Sequence, residues 1–174
     1  WDEILEGGLS ENATVMSWRG IDGGIEAAKQ GHDVIMTPGS GGLYLDHYQG
    51  DSKIEPITIP SSPVYLAKTY SFDPVPDVIR KAGLDKHILG VQCNNWSEYM
   101  YSNAKMEYMM YPRALALSEV AWSPLSRKNF TDFCKRVDAN LVRLDERCIK
   151  YHLPLPEQPY GSCDKVVITK DTTV

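Results

Sequence analysis

Aromatic and acidic side chains recur near the ends of three short apolar runs in the first part of the chain. Indole faces pack against the apolar C–H faces of a sugar ring, and carboxylates accept hydrogen bonds from its hydroxyls. An aromatic box with two carboxylates and a phenol at its rim is therefore the composition that a pyranose-binding pocket requires. The residues that would form this box are Trp1, Trp18, Tyr44, Asp46, Trp96 and Glu98.

These residue types also have ordinary structural interpretations. A single tryptophan in an α/β domain belongs to the core more often than to a ligand site, and we assign Trp122 to the core. Tyr44 and Asp46 face one side of an extended segment, which is also compatible with a loop hydrogen bond. Asp2 and Glu3 are adjacent, so on an extended strand they point to opposite faces and make a poor acid–nucleophile pair.

Three β-rich runs must position these side chains. Each run is apolar with little alternation, as expected of parallel strands that are buried on both faces. Between the first two runs a short helix is expected, with Asp22 placed to cap its start and Gly31 suited to end it. Strand, helix and strand form a βαβ unit. The predicted strands cover residues 14–18, 33–37 and 87–92, and the helix covers residues 22–31.

The rest of the chain reads as one long loop followed by helices. Residues 38–63 are rich in Gly and Pro, and long structured loops in compact domains are usually functional. A broad apolar face over residues 105–122 predicts a helix that Pro112 kinks or restarts. Apolar residues at three- and four-residue steps from Phe130 to Cys148 predict an amphipathic helix. Short helices are also predicted over residues 63–68 and 76–82.

The order of these elements predicts part of a (β/α)8 barrel. A complete barrel of eight strands needs about 250 residues, and the chain has 174. We predict a barrel portion over residues 1–125, a C-terminal amphipathic helix over 126–152 and a Pro-rich tail over 153–174. The tail has room for one strand at Val166–Thr169.

Composition and charge exclude several classes of partner. The chain has 18 Lys and Arg against 23 Asp and Glu, a net charge of −5, which gives no electrostatic case for nucleic acid or an anionic membrane surface. No apolar run approaches the roughly 20 residues of a membrane span. Because the first residue is Trp1 and not Met, we expect the chain to begin inside a longer protein.

No metal site or cofactor is predicted. The four histidines lack partners at metal-binding spacing and are assigned to the surface or to loops, and the four cysteines lack zinc spacing. The cysteines are predicted to be buried free thiols, and their spacing favours no disulfide pairing. These residues are His32, His47, His87 and His152, and Cys93, Cys134, Cys148 and Cys163.

Seven short segments together resemble motifs of glycoside hydrolase family 20, the exo-acting β-N-acetylhexosaminidases. They occur in the family's order and at its spacing over residues 1–125, and this order is far more specific than any single motif. The resemblance implies an α/β fold that is the C-terminal half of a (β/α)8 TIM barrel. The segments are Trp1–Ile4, Val15–Gly20, Tyr44–Asp46, Gly90–Gln92, Trp96–Glu98, Tyr111–Arg113 and Glu119–Trp122.

The resemblance also implies a role for each candidate residue. Tyr44 matches the catalytic tyrosine whose hydroxyl donates a hydrogen bond to the acetamido carbonyl oxygen of the substrate. That oxygen attacks the anomeric carbon in place of an enzyme carboxylate, an exception to the usual two-carboxylate scheme. The tryptophans match those that line the pocket of the terminal N-acetyl sugar, and the carboxylates match those that hold its outer hydroxyls. The implied substrate-binding residues are Trp1, Trp18, Asp46, Trp96 and Glu98.

The family's general acid belongs to an Asp-Glu pair that follows a His-x-Gly-Gly sequence, and neither this sequence nor the arginine expected near the start of the family barrel occurs in the chain. Asp2 and Glu3 follow Trp1 and match a later motif. We therefore expect the isolated chain to be inactive, and either to self-associate through open sheet edges or to cover an edge with its own tail at Val166–Thr169. Family habit indicates a periplasmic or secreted location, or a lysosomal one in a eukaryote. Two alternatives remain, a barrel glycosidase acting on other sugars and a noncatalytic carbohydrate-binding module.

Overall fold

The computed structural model describes residues 1–153, in which strands and helices alternate before a helical C-terminal part. The strands are β1 (Thr14–Ser17), β2 (Asp33–Met36) and β3 (Ile88–Val91). The α-helices are α1 (Asp22–Lys29), α2 (Leu66–Ser71), α3 (Asp77–Ala82), α4 (Asn103–Met110), α5 (Arg113–Trp122) and α6 (Phe130–Glu146). Short 3-10 helices cover Asp2–Gly7, Gly39–Gly41, Asp85–His87, Ser97–Tyr99 and Leu125–Arg127. The strand predicted at Val166–Thr169 lies outside the described residues.

The three strands form one parallel sheet in the order β1-β2-β3. β1 and β2 pair without interruption, from Thr14 opposite Asp33 to Ser17 opposite Met36. β2 and β3 are also parallel. The predicted strands and the intervening helix are present, each one or two residues shorter than the sequence pattern indicated. The chain is thus a helix-rich α/β fold with parallel strands, consistent with part of a barrel.

The start of α1 is fixed by a strand residue and not by the predicted cap. Ile21 occupies the N-cap position, and Asp22 is the first residue of the helix itself. The Ser17 hydroxyl at the end of β1 accepts a hydrogen bond from the Gly24 backbone N–H at 2.9 Å. This bond satisfies one of the free N–H groups in the first turn and ties the helix to the strand. The C-terminal prediction holds, because Gly31 follows the helix at φ 88°.

One face of the sheet is buried and the other is only partly covered. Val15, Val34 and Met36 point into the main core under α1, where they are at most 1% exposed. Met16 and Ile35, on the opposite face, are only half-buried. The apolar pattern typical of strands buried on both faces is therefore met on only one face in these residues. The reason is geometric, because the inner face of a barrel is filled by side chains from all of its strands and three strands cannot enclose it.

A second core lies between α6 and the helices beside it. Phe133, Val137, Leu141 and Leu144 form the buried stripe of α6, at the spacing that predicted an amphipathic helix. The run expected over residues 105–122 is two helices, and Pro112 is the N-cap residue of the second one, α5. No helix among residues 1–153 is long and apolar enough to cross a membrane.

Trp122 is not a core residue as predicted. Its side chain is 89% exposed, whereas Val120 on the same helix is buried in the main core. Two residues are separated by about 200° around an α-helix, so a side chain two positions after a buried one faces away from the core. The prediction used only the apolar character of Trp122 and therefore placed it on the wrong face of the helix.

Candidate functional site

The carboxyl ends of the three strands bring four aromatic side chains into one cluster. The Trp1 ring lies 6.0 Å from Trp18, centroid to centroid, and 6.2 Å from Trp96. The Tyr44 ring stands edge-on to Trp96, with centroids 6.1 Å apart and planes at 88°. Trp18 follows β1, Tyr44 follows β2, and Trp96 follows β3. The predicted aromatic box is therefore present as a set of neighbouring rings, and the exposed Trp1 and Trp96 leave it accessible from solvent.

The segment that carries Tyr44 continues the pairing between β2 and β3. Tyr44 and Asn94 form an isolated parallel bridge beyond the named strands. The Leu45 N–H donates to the Asn94 carbonyl at 2.7 Å, and the Asn94 N–H donates to the Leu43 carbonyl at 2.9 Å. The buried Asn94 side chain also donates to the Thr37 hydroxyl at 3.0 Å. Asn94 therefore fixes the backbone of the catalytic tyrosine candidate to the end of the sheet.

The Tyr44 ring itself packs on a glycine. A Cβ at Gly39 would lie 3.0 Å from two ring carbons of Tyr44, closer than ordinary van der Waals contact. The Gly39 N–H donates to the Trp18 carbonyl at 3.0 Å, and the Tyr44 hydroxyl lies 3.4 Å from the same oxygen. The Trp18 carbonyl, just after β1, thus contacts both the Gly39 backbone and the Tyr44 hydroxyl.

The phenol of Tyr44 stays protonated in its surroundings. Partial burial, and then the negative charges of Asp46, Asp2 and Glu3, raise the pKa of Tyr44 above its ordinary value of 10.0. A phenol with a raised pKa is neutral at physiological pH and can donate one hydrogen bond. The site therefore offers a hydrogen-bond donor at the rim of the indole cluster.

Asp46 is a buried carboxylate next to this donor. It is 3% exposed, and its Oδ1 has no hydrogen-bond partner within residues 1–153. Burial raises the pKa of Asp46, the charge of Glu98 acts in the same direction, and Arg113 opposes them. Glu98 lies on the 3-10 helix Ser97–Tyr99 with an exposed side chain. An unpaired buried carboxylate oxygen is costly without a ligand, which suits a group that accepts a hydroxyl hydrogen bond.

Asp2 and Glu3 differ from their predicted arrangement. They begin a 3-10 helix and not an extended strand, so the expectation of opposite faces does not apply. The Trp18 indole N–H donates to both Glu3 carboxylate oxygens, at 3.0 and 3.1 Å, and Arg19 forms an ion pair with Glu3 at 2.8 Å. Hydrogen bonds from its own backbone and from Trp18 lower the pKa of Glu3. Glu3 therefore orients the Trp18 indole.

Burial, and then the neighbouring Glu3, raise the pKa of Asp2. The Asp2 side chain packs on Gly23 in the first turn of α1, where a Cβ would approach its carboxylate to 2.5 Å.

Arg113 is a functional candidate whose role sequence reasoning did not predict. It is fully buried, and its guanidinium donates to the main-chain carbonyls of Leu45 and His47 at 2.7 and 3.1 Å. These carbonyls lie on either side of Asp46. Burial lowers the pKa of Arg113 to about 10, so it remains a cation at neutral pH. The sequence signal was its place in the segment Tyr111–Arg113, to which no role was assigned.

His32, His47 and His152 lie in loops, one of the two predicted alternatives, and His87 ends the 3-10 helix Asp85–His87. His32 and His152 are buried there, and His152 Nε2 lies 3.2 Å from Glu55 Oε1. His47 is half-buried, its ring is 5.9 Å from the Tyr44 ring, and burial lowers its pKa. Within residues 1–153, no three His, Cys, Asp or Glu side chains gather as a metal site would require.

The cysteine prediction holds only in part. Cys93, Cys134 and Cys148 are free thiols, but none is fully buried as predicted, since Cys93 and Cys134 are half-buried and Cys148 is exposed. Burial raises the pKa of the Cys93 thiol to about 12, so it is inert as a nucleophile at neutral pH. Cys163 lies outside the described residues.

The fold and the site together define a class of protein. Parallel strands of an α/β sheet carry an indole cluster, a neutral phenol and two carboxylates at their carboxyl ends, where barrel enzymes bind their ligands. This is the arrangement of a sugar-processing barrel enzyme.

Comparisons with known proteins identify the family. The model of the glycosyl hydrolase family 20 catalytic domain matches residues 1–125. A β-hexosaminidase of Porphyromonas gingivalis is 56% identical over 171 residues, which is 97% of this chain and 22% of that protein. A β-hexosaminidase of Vibrio furnissii is 34% identical over 68% of the chain and 19% of its own length. The chain therefore belongs to glycosyl hydrolase family 20, and it spans about a fifth of the length of these relatives.

Solved structures agree with this assignment. The family 20 exo-β-N-acetylglucosaminidase of Vibrio harveyi, solved with N-acetylglucosamine, superposes with a TM-score of 0.81 at 29% identity. The superposition covers 91% of this chain and 24% of that one. A family 20 β-N-acetylhexosaminidase of Streptomyces coelicolor gives a TM-score of 0.78 at 21% identity, which supports the fold. The chain is thus part of a glycoside hydrolase barrel, as the motifs predicted.

Proposed function

We propose that the chain forms the sugar pocket of an exo-β-N-acetylhexosaminidase, which removes terminal N-acetylhexosamine from glycans by substrate-assisted, retaining hydrolysis. The observation that carries the proposal is the neutral Tyr44 phenol standing edge-on to Trp96 beside the other two indoles. A phenol that donates at this position suits an acetamido oxygen, whereas a simple hexose would leave it without a partner.

In this proposal each side chain has one task. Trp1, Trp18 and Trp96 enclose the terminal sugar and its acetamido methyl group, and the buried Asp46 carboxylate with Glu98 holds the outer ring hydroxyls. Tyr44 keeps its proton and donates a hydrogen bond to the acetamido oxygen as that oxygen attacks the anomeric carbon. Charge redistributes at this oxygen in the transition state, where a preoriented donor is worth most.

We propose that the general acid is not one of these 174 residues. Glu3 accepts from the Trp18 indole and pairs with Arg19, and Asp2 and Glu3 match a later family motif than the one that carries the acid, so we assign the acid to neither. The Asp-Glu pair of the family follows a His-x-Gly-Gly sequence that is not present in the 174 residues. We therefore propose that the isolated chain does not hydrolyse glycosides. We also propose a periplasmic or secreted location, or a lysosomal one in a eukaryote.

Substrate assistance gives a direct test of the proposed function. The full-length protein should release p-nitrophenol from the β-N-acetylglucosaminide and fail to do so from the matched β-glucoside, which lacks the acetamido nucleophile. Equal turnover of both substrates would indicate a glycosidase that uses its own nucleophile. Binding of N-acetylglucosamine with no release from either substrate would indicate a noncatalytic sugar-binding module.

A further inference from the structure

We propose that His152, in the segment that follows α6, is a positioning residue for the substrate-binding carboxylate Asp46. It would act by holding the Asp46 loop, which we define as residues 46–58. The inference rests on the proposed function, since it takes Asp46 as a group that binds a ring hydroxyl. His152 lies beyond residues 1–125, which the family model matches.

The Asp46 loop is closed by side chains of its own. The Thr58 hydroxyl donates to the Asp46 main-chain carbonyl, joining the two ends of the loop. Inside it, the Gln49 backbone N–H donates to Glu55 Oε2 at 2.9 Å. Glu55 is only 4% exposed, so the loop carries a buried carboxylate at its centre. The conformation of the loop therefore depends on what compensates Glu55.

His152 is the side chain that faces this carboxylate from outside the loop, at ion-pair distance. Its Nε2 lies 3.2 Å from the second Glu55 oxygen, Oε1, and the His152 side chain is also buried. The His152 backbone N–H donates to the Tyr111 carbonyl at 3.0 Å, and its ring stands edge-on to Tyr108 with centroids 5.5 Å apart. Two residues earlier in the chain, the Lys150 N–H donates to Glu107 at 2.9 Å. The segment is therefore anchored to the end of α4 at several points.

The loop is anchored to the same place from its other side. The Gln49 side-chain amide donates to the carbonyls of Tyr108 at 2.5 Å and Tyr111 at 3.2 Å. Gln49 and His152 thus meet at the junction of α4 and α5, and Glu55 bridges them. A buried carboxylate that loses its partner is strongly unfavourable, and the chain relaxes to hydrate it. Without His152, we expect Glu55 to turn outward and the loop to move with it.

Charge near Asp46 strengthens the argument. Asp46 and Glu55 both interact electrostatically with the buried Arg113, which also binds the carbonyls flanking Asp46. Asp46 and Glu55 therefore lie in the field of the same buried cation, so a movement of Glu55 after loss of His152 changes the electrostatic surroundings of Asp46.

The test is a mutant cycle in the full-length protein, assayed on the p-nitrophenyl β-N-acetylglucosaminide. His152→Phe keeps a ring of similar size without the nitrogens and should lower kcat/KM about tenfold, mainly through KM, as expected for a displaced binding group. In an Asp46→Asn background the same substitution should cost less than about twofold, because residues that act as one unit are not additive. His152→Gln, whose amide can donate to Glu55, should recover most of the loss. His32→Phe, the same change at a buried histidine beside β2, should leave kcat/KM unchanged.

Hydrogen exchange supplies a readout that needs no turnover. His152→Phe should speed exchange in peptides covering residues 46–58 and leave those covering β1 and α1 unchanged. If the variant does not fold, Glu55→Gln, which weakens the same pair, should speed exchange in the same peptides and be similarly non-additive with Asp46→Asn. Unchanged exchange in the loop, or losses in kcat/KM that multiply in the cycle, would overturn the proposal. A wild-type protein without hydrolysis would refute the proposed function instead, and exchange would still decide whether His152 holds the loop.

Discussion

The Tyr44 hydroxyl lies 3.4 Å from the main-chain carbonyl oxygen of Trp18. This separation is long for an O–H···O hydrogen bond, whose usual range ends near about 3.0 Å. The phenol is therefore aimed at the pocket rim by a weak interaction that a better acceptor can replace at little cost. A substrate carbonyl oxygen in the indole cluster would be such an acceptor. A neutral phenol has one O–H group, so a hydrogen bond to the substrate would replace the weak one to Trp18.

Gly39→Ala should impair the site without touching the sugar. An added methyl would meet the Tyr44 ring at 3.0 Å and push the phenol by a few tenths of an ångström. We expect kcat for the N-acetylglucosaminide to fall about tenfold or more with little change in Tm, since small displacements of a reacting group are costly. Gly7→Ala, at the exposed end of the 3-10 helix Asp2–Gly7 with open space around its Cβ position, is the control. Wild-type kcat in Gly39→Ala would show that the glycine does not set the Tyr44 position.

Trp18→Ala and Trp96→Ala should raise KM and lower kcat together, because these rings form the pocket itself. Burial of an aromatic side chain contributes about 1.5–3 kcal/mol, which corresponds to about ten- to a hundredfold in kcat/KM. Trp122→Ala removes an indole of the same size that is 89% exposed and outside the cluster, and it should leave both constants unchanged. Equal effects of all three substitutions would mean that the cluster is not the sugar pocket.

Asp46→Asn should stabilise the protein at neutral pH while weakening sugar binding. Burial raises the pKa of Asp46 in the folded state, so the unfolded chain releases this proton more readily. The carboxylate therefore lowers stability increasingly as pH rises through its folded pKa, and an amide avoids this cost. We expect the variant to have the higher Tm at pH 7, with the advantage shrinking toward pH 4. A lower Tm at pH 7 would contradict the assignment of Asp46 as a destabilised, ligand-directed carboxylate.

The isolated chain should self-associate and lack hydrolase activity. Among residues 1–153, β1 and β3 are the two edges of the sheet, and Leu89 on β3 is 58% exposed. Unpaired strand edges next to apolar side chains favour pairing with another chain. Light scattering should therefore give a mass above that of one chain, increasing with concentration. A monomer at all concentrations with an uncovered sheet edge, or turnover of the N-acetylglucosaminide that survives substitution of Asp2 and Glu3, would contradict these expectations.

The sequence predicted the elements that local patterns determine. The apolar stripe of α6 and the strands before Trp18 and Trp96 follow from residue spacing, and the motif order led to the family. The prediction failed where the answer depended on contacts distant in sequence. Trp122 is a separate case, because its position two residues after the buried Val120 turns it toward solvent and the prediction overlooked this helical spacing.

The polar framework around Asp46 was the least predictable part of the site. Glu55 and His152 are 97 positions apart, so their pairing could not be inferred from spacing within one element. Arg113 donates to the main-chain carbonyls of Leu45 and His47, and because every residue has such a carbonyl, the sequence does not indicate which ones it binds. The Ser17 hydroxyl accepts a hydrogen bond from the Gly24 N–H in the first turn of α1, although Ser17 is a strand residue seven positions earlier. Each of these contacts exists only because the fold brings separate segments together.

The central claim is that Tyr44 serves the reacting acetamido oxygen, and steady-state kinetics of Tyr44→Phe in the full-length protein test it most directly. The substitution removes one hydroxyl and keeps the ring contact with Trp96. We expect kcat for the p-nitrophenyl β-N-acetylglucosaminide to fall about ten- to a thousandfold, the scale of one transition-state donor, with KM changed by less than about threefold. Tyr65→Phe, at a partly exposed tyrosine before α2, should behave as wild type. An unchanged kcat in Tyr44→Phe would contradict the account and remove Tyr44 from the mechanism.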